Sequence, residues 1–467
     1  MTAPPSYWMA LDPSEPGPPL RGTERVDVAI VGGGFTGLWT AYHLSVLEPA
    51  MRVAIVEANV VGHGASGRNA GFAMTLVHRS LAELVRALGD EGAAAVVRAA
   101  ARSVRAIGEV CRAEGIDADL QPNGLLTVSN GPLQDGLVRL EAETADRLGL
   151  EGIRYLEGAE VRARVHSETF RCGLFDEACT LLNPARLVRG LRRVVERRGV
   201  AVYERSELAD ITRDARRIRL RTAEGELLAD RVVLAANAYS ARLAALRRHL
   251  MPFYSYILLT EPLTAAQWER IGWQDRFGME DRRVFLHYFR PTVDGRILWG
   301  GRDAVYRPDG PDARYDRDER VFARLEETFR WTFPQLHDVR IAHRWGGPIA
   351  VTGDFLPLVG WLRGERIAYC FGYNGHGVAI SHLAARACAE LLLGRDGEAR
   401  RLPIVGRKPL WLGPRWARDP LVQATVRHYL RRDDEGTEIR APLPVRLMEA
   451  LMPAARPLRA PPSSPPD

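Results

Sequence analysis

Lysine is almost missing from this chain. Of its 467 residues 64 are lysine or arginine, and Lys408 is the only lysine. A catalytic cation ahead of that position must therefore be arginine or protonated histidine. Cysteine is scarce too. Cys111, Cys172, Cys179, Cys370 and Cys388 form no C-x-x-C pair and no His/Cys cluster. That excludes a disulfide framework and offers no thiolate metal site. Reduced structural thiols are expected, with Cys172 and Cys179 the one spacing that suits a redox pair. No apolar run reaches the roughly 20 residues of a membrane-spanning helix. The opening MTAPPSYWMALDPSEPGPP has no basic region followed by an apolar one. It does not read as a secretory signal, so a cytoplasmic location is expected. Net charge is +6, but the arginines are dispersed. There is no basic patch interleaved with aromatics, so nucleic acid is not an expected partner. No internal repeat is present.

What is there begins after a Pro/Gly-rich arm, residues 1–24. Residues 26–31 (VDVAIV) and 52–57 (RVAIVE) read as strands buried on both faces. Between them lies a helical stretch, 35–47, that stops at Pro49. Residues 80–114 read as helix, 124–128 as strand and 185–198 as helix after Asn183-Pro184. Strands follow at 200–203, 218–222 and 232–236. Residues 251–301 look antiparallel, with strands at 254–260, 284–290 and 296–300, the last two joined at Asp294-Gly295. A late buried strand, 367–371, runs through GYNGHG into a helix at 378–393. Residues 441–467 hold eight prolines and read as a mobile tail.

Gly32, Gly34 and Gly37 form G-x-G-x-x-G between the first strand and helix, and Glu57 closes the second strand twenty residues on. The first glycine permits the tight turn. The second lets backbone approach a pyrophosphate, and the third lets helix and strand pack closely. The helix N-terminus supplies N–H groups to phosphate, and Glu57 can accept the ribose hydroxyls of an adenosine. A tight βα turn without a ligand would need none of the other parts. No second such motif set between a strand and a helix reads from the chain, as a flavoenzyme using pyridine nucleotide would usually require; Gly62, Gly64 and Gly67 repeat the spacing only within the loop after Glu57. The loop GASGRNAGF (64–72) follows Glu57 closely, where an extended FAD needs a further contact.

Two stretches carry a family resemblance. "VDVAIVGGGFTGLWTAYHL…VAIVEANVVGHGASGRNAGF" and "FGYNGHGVAISHLAARACAELLLG" resemble the D-amino-acid-oxidase-type FAD oxidoreductases, and GASGRNAGF is most similar to the gamma-glutamylputrescine oxidase branch. The similarity extends through VVLAANAYS (232–240), HYFRPTVDGRILWGG (287–301) and GDFLPLVG (353–360), and the N-terminal SYW fits the same branch. The resemblance implies an α/β (α+β overall) fold. A discontinuous Rossmann-like FAD-binding domain (25–80, 150–245, 335–395) would join a substrate domain on a mixed or antiparallel sheet (81–149, 246–334). The arm 1–24 and a C-terminal extension, 396–467, would flank them. It also implies that Gly64, Ser66, Arg68, Asn69 and Gly71 lie against the flavin with Ala236, and that Gly375, His376 and Gly377 open a helix facing it. Backbone N–H groups there would stabilise negative charge on reduced flavin.

The family oxidises a C–H next to an amine nitrogen. Hydride passes to flavin N5, and the imine formed is hydrolysed. On strand 284–290, Tyr288 and Arg290 share a face and match the family's YxR pattern. They are expected to face the substrate, Arg290 holding a carboxylate or carbonyl; a sheet-packing pair is the alternative. Tyr254 and Tyr256 are weaker candidates for the same cavity. His376 is read either as a base or as a supporting histidine. Sarcosine-oxidase relatives place a lysine over the flavin for oxygen reduction, and Arg68 is the candidate here by position. Relatives that attach flavin covalently use a cysteine after the substrate sheet. HRWGGPIAVTGDFLP has none, so non-covalent FAD is expected, with His63 in VGHGAS the histidyl alternative. The expected function is an amine or amino-acid oxidase using O2. One alternative is a dehydrogenase passing electrons to a quinone or carrier at a membrane, which the apolar and basic segment 443–457 could touch. The other is a flavin-binding subunit without turnover. No metal site is expected.

Overall fold

The central strand runs from Gly22 to Val31, parallel to Gly225–Leu234 on one side and to Val53–Val56 on the other. Its near-continuous apolar sequence is explained by burial on two faces. Val28 and Ile30 enter one core and Val26, Ala29 and Val31 the other. The computed structural model describes residues 5–458 except 78, 79, 215, 363 and 365. In it this sheet has the strand order Leu358–Trp361, Ile367–Phe371, Gly225–Leu234, Gly22–Val31, Val53–Val56, Ala201–Tyr203, with a hairpin, 210–221, on Gly225–Leu234. Helices Phe35–Leu47, Pro184–Arg197 and Gly377–Leu392 cover one face.

A second eight-stranded sheet has the order Ile341–Val351, Met251–Thr260, Ile297–Tyr306, His287–Pro291, Gly278–Asp281, Leu125–Val128, Cys172–Asp176, Ile153–Glu157. All its neighbours are antiparallel except Gly278–Asp281 with Leu125–Val128. Its outer face packs Trp273, Phe289, Trp299 and Phe333 against helix Glu319–Thr332.

The expected partition shifts at three places. Strands Ile153–Glu157, Cys172–Asp176 and Ile341–Val351 pair into the second sheet, although 150–245 and 335–395 were assigned to the cofactor domain. Helix Leu81–Glu114, assigned to the substrate domain, packs with Gly377–Leu392 and puts Val96, Ala100, Val104 and Ile107 into the first core. Apolar periodicity marks a helix but does not say which sheet its stripe will face.

Both ends of the chain are more ordered than composition suggested. Ser6 caps a short helix, Tyr7–Leu11, whose Tyr7, Trp8 and Met9 are buried. At the other end, helices Arg415–Glu435 and Leu443–Leu451 pack on each other and on the second sheet, burying Val422, Val445 and Met448. Leu443–Leu451 therefore corrects the reading of 441–467 as a mobile tail: Pro442 and Pro444 sit at a helix start, where proline is tolerated. Residues 1–4 and 459–467 of the expected arm and tail lie outside the described residues. The five cysteines are free and buried. Among the described residues no helix is long and apolar enough to cross a membrane.

Candidate active site

The glycine motif turns as its sequence requires. Gly32 has φ +113°, and a Cβ there would meet the Ala235 carbonyl oxygen at 2.8 Å. At Gly37 it would lie 1.9 Å from the Gly32 carbonyl oxygen, so helix and strand close up only around hydrogen. The Gly33 and Asn59 amides donate to Glu57 at 2.7 and 2.9 Å, fixing its carboxyl at the rim of a groove. Burial pushes that carboxyl up from its ordinary range. The groove continues past Gly64, Ala65, Ser66 and Asn69, then Ala236 and Tyr239, to Gly375 and Gly377. Ser66 Oγ accepts the Phe35 N–H at 2.8 Å, so the 64–72 loop caps the first turn of the dinucleotide helix.

That loop is clamped from several sides. Ser6 Oγ donates to the Gly67 carbonyl, Trp8 Nε1 to Asn69 O and Trp345 Nε1 to Arg68 O. Asn69 spends its amide inside the loop. Its Nδ2 donates to Ala65 O and Ser66 O, and its Oδ1 accepts the Gly71 N–H. Arg68 is 2% exposed. It donates to His63 O at 2.7 Å and to Gly346 O at 3.1 Å, and pairs with Asp316 at 2.7 Å. His63 lines the groove with its Nε2 3.2 Å from Arg68. Burial and that cation hold its pKa down to about 4, so a neutral imidazole accepts there.

A second cavity, about 310 Å³, adjoins the groove. Ala65, Asn69, Pro348, Ile349, Gly375 and Val378 line both and mark the junction. Gly375 has φ +97°, and a Cβ there would meet nothing within 4 Å. It is backbone left open to a ligand, just ahead of helix Gly377–Leu392. A groove of glycine turns, two helix N-termini and a carboxyl suits an extended dinucleotide whose ring reaches that junction. His376 lies in the second cavity. So does Tyr288, whose hydroxyl is 2.9 Å from Ser255 Oγ and is pushed up to about 12 by burial.

Arg290 overturns its expected role. It is 1% exposed and absent from the cavity wall. Its Nη1 donates to Ala70, Gly71 and Leu182 carbonyls at 3.2, 3.1 and 2.8 Å, holding the 64–72 loop from behind. Burial lowers its pKa to about 9. Gly71, gripped in this way, lines neither cavity, and Gly37 serves packing alone. Tyr254 and Tyr256 also point away, donating to the Asp312 and Tyr315 carbonyls. The opposite parity, Phe253, Ser255 and Ile257, faces the cavity.

Two contributions had no sequence signal. Glu280, cross-strand from Tyr288, lines the cavity, accepts from Thr127 at 3.0 Å and is pushed up to about 7 by burial. The C-terminal extension supplies Val422, Val426, Tyr429, Arg432, Met448 and Met452. Spacing along helix Arg415–Glu435 (422, 426, 429) is that of any core stripe and named no partner.

A family model described as FAD dependent oxidoreductase (DAO) matches residues 27–391. The chain is 32% identical over 414 residues to the gamma-glutamylputrescine oxidoreductase of Escherichia coli K12, spanning 88% of this chain and 93% of that protein. It is 29% identical over 419 residues to the probable oxidoreductase OrdL of Haemophilus influenzae, with the same shares. The crystal structure of glycine oxidase from Geobacillus kaustophilus superposes with a TM-score of 0.68 at 21% identity, covering 80% of this chain and 96% of that one.

Proposed function

The chain belongs to the FAD dependent oxidoreductase family, and we propose that it oxidises the C–N bond of an amine or amino acid, releases an imine to hydrolysis and is reoxidised by O2 to give H2O2. The observation that carries this reading is the junction, where Gly375 and Asn69 are shared by a dinucleotide groove and a mostly apolar cavity. Bound FAD supplies the hydride acceptor. The names of two relatives, gamma-glutamylputrescine oxidoreductase and glycine oxidase, support an amine donor.

The chain's own residues prepare the rest. Phe253, Ile257, Ile349 and Val351 desolvate the substrate and favour the neutral amine that hydride loss requires. Tyr288 stays protonated and can donate to a substrate oxygen or nitrogen. The N-terminus of Gly377–Leu392 aims positive dipole at the junction, where negative charge accumulates on reduction. None of the five thiols lines the groove, which supports non-covalent binding. Arg68 lines the cavity next to Asn69 as the cation offered in place of a lysine, and Asp316 fixes it there.

Equimolar H2O2 and aldehyde or ketone product from pure protein, FAD and an amine under air is the expected outcome. Product without peroxide, and only with a quinone added, would sink the oxidase reading in favour of a dehydrogenase. One observation favours that second reading. Leu443, Leu447 and Leu451 form an exposed stripe, 64, 47 and 71% exposed, on the terminal helix. Rate enhancement by vesicles containing a quinone is its test.

A further inference from the structure

The charges in the cavity are unevenly placed. At the junction Arg68 is already engaged by Asp316, His63 and Gly346, and Pro348 and Ile349 are apolar. An α-carboxylate beside the reacting C–N bond would find no unengaged guanidinium there among the described residues. Arg282, Arg283, Arg302 and Arg432 also line the cavity. Arg302 stands on strand Ile297–Tyr306, two strands from Ile341–Val351 and so about 10 Å across the sheet. It sits in a tight bulge in which Gly301, Arg302 and Asp303 all have positive φ. Over it lies the end of helix Arg415–Glu435.

That helix end is anchored to the wall. Asp433 accepts the Val284 and Phe285 N–H groups at 3.2 and 2.9 Å, and Asp434 pairs with Arg302 and, at 3.2 Å, with Arg324. Arg432 is 3% exposed, lines the cavity and pairs with Glu438 through one Nη. Its Nε is buried and has no hydrogen-bond partner among the described residues. A buried guanidinium edge with a free donor, on a residue that lines a mostly apolar cavity, suits an anion brought in by the ligand. Met251, Phe253, Val351, Val426 and Met448 form an apolar cluster on the same cavity. Of the acids that line the cavity, Glu280 accepts from Thr127 and Glu83 accepts the Leu458 N–H; Asp433, Asp434 and Glu438, beside Arg432, are bound as described.

We infer that the substrate is an amine whose carboxylate is separated from the reacting C–N bond by an apolar chain, and that Arg432 of the C-terminal extension binds that carboxylate. This rests on the amine-oxidising reading above and narrows it away from α-amino acids. The extension is then the specificity wall of the site, and Arg432 a substrate-binding residue.

The holoenzyme tests this with two probes. Hexanoate, which cannot be oxidised at nitrogen, reports binding by calorimetry and by its perturbation of the flavin spectrum. Turnover of 6-aminohexanoate is compared with that of 1-aminohexane, D-alanine and sarcosine. Arg432→Gln is expected to weaken hexanoate and raise KM for 6-aminohexanoate by about tenfold or more, with kcat and the KM for 1-aminohexane little changed. Arg432→Lys should recover part of the loss. Glu438→Gln breaks the same ion pair but keeps the guanidinium, so it should not weaken hexanoate. Equal weakening by Glu438→Gln, an unaffected Arg432→Gln protein, or preference for D-alanine or sarcosine overturns the inference. If no amine reduces the flavin yet hexanoate binding still depends on Arg432, the carboxylate site stands and the amine-oxidising reading falls.

Discussion

Replacing Arg290 with glutamine separates two roles that one sequence pattern cannot. In the structure its guanidinium donates to the carbonyls of Ala70, Gly71 and Leu182 and reaches no cavity. Each such bond contributes about 1 kcal/mol net, and a carbonyl left buried and bare costs at least as much. Three carbonyls therefore give about 3 kcal/mol, less whatever is recovered by no longer burying a charge. If that energy holds loop 64–72 in its cofactor-binding shape, FAD binding must supply the ordering in the variant. A loss of 3 kcal/mol is about a hundredfold in the FAD dissociation constant. The assay is quenching of flavin fluorescence on titration into apoprotein, beside KM for the best amine on protein saturated with FAD. The expected result is a large rise in the FAD constant with KM within a few-fold. An unchanged FAD constant with a strongly raised KM would refute the clamp and restore Arg290 to the substrate.

Three further outcomes follow from the same geometry. Gly375→Ala puts a side chain at φ +97°, in space open to the ligand; apoprotein should lose about 1 kcal/mol while FAD affinity falls disproportionately, and equal effects on both would contradict it. Ser66→Ala removes the acceptor of the Phe35 N–H and should cost about 1 kcal/mol in a urea titration, with the FAD-bound form affected too. Glu280 has its pKa raised from 4.5 to about 7 by burial, so the folded state holds an extra proton between those values and stability must fall as pH rises through that window. Against Glu280→Gln, wild-type protein should lose up to about 3 kcal/mol between pH 4.5 and 7. Parallel stability curves would show that the carboxyl is not held protonated.

The cofactor half of the site was legible because its chemistry is local. Gly32, Gly34, Gly37 and Glu57 lie within one strand-helix-strand unit, and each restriction on side-chain size acts between residues close in sequence. The substrate half was not. Alternation put Tyr288 correctly in the cavity but also Arg290, whose side chain turns back beneath loop 69–71 instead. On Met251–Thr260 aromatic side chains drew the choice to Tyr254 and Tyr256. A register shift between them and strong packing against Tyr315 and Phe322 hold both on the outer face. The extension was silent because its wall residues, Arg432 apart, are ordinary core types. Their meaning depends on the tertiary contact of Asp433 with residues 284 and 285.

The central claim is that an amine in the second cavity reduces FAD held at the junction. Anaerobic mixing of FAD-loaded protein with a panel of primary and secondary amines, ω-amino acids and D-amino acids tests it most directly. The account predicts loss of the oxidised-flavin absorbance at a saturable rate with at least one member of the panel, and recovery when air is admitted. Full FAD occupancy with no reduction by any of them would contradict it.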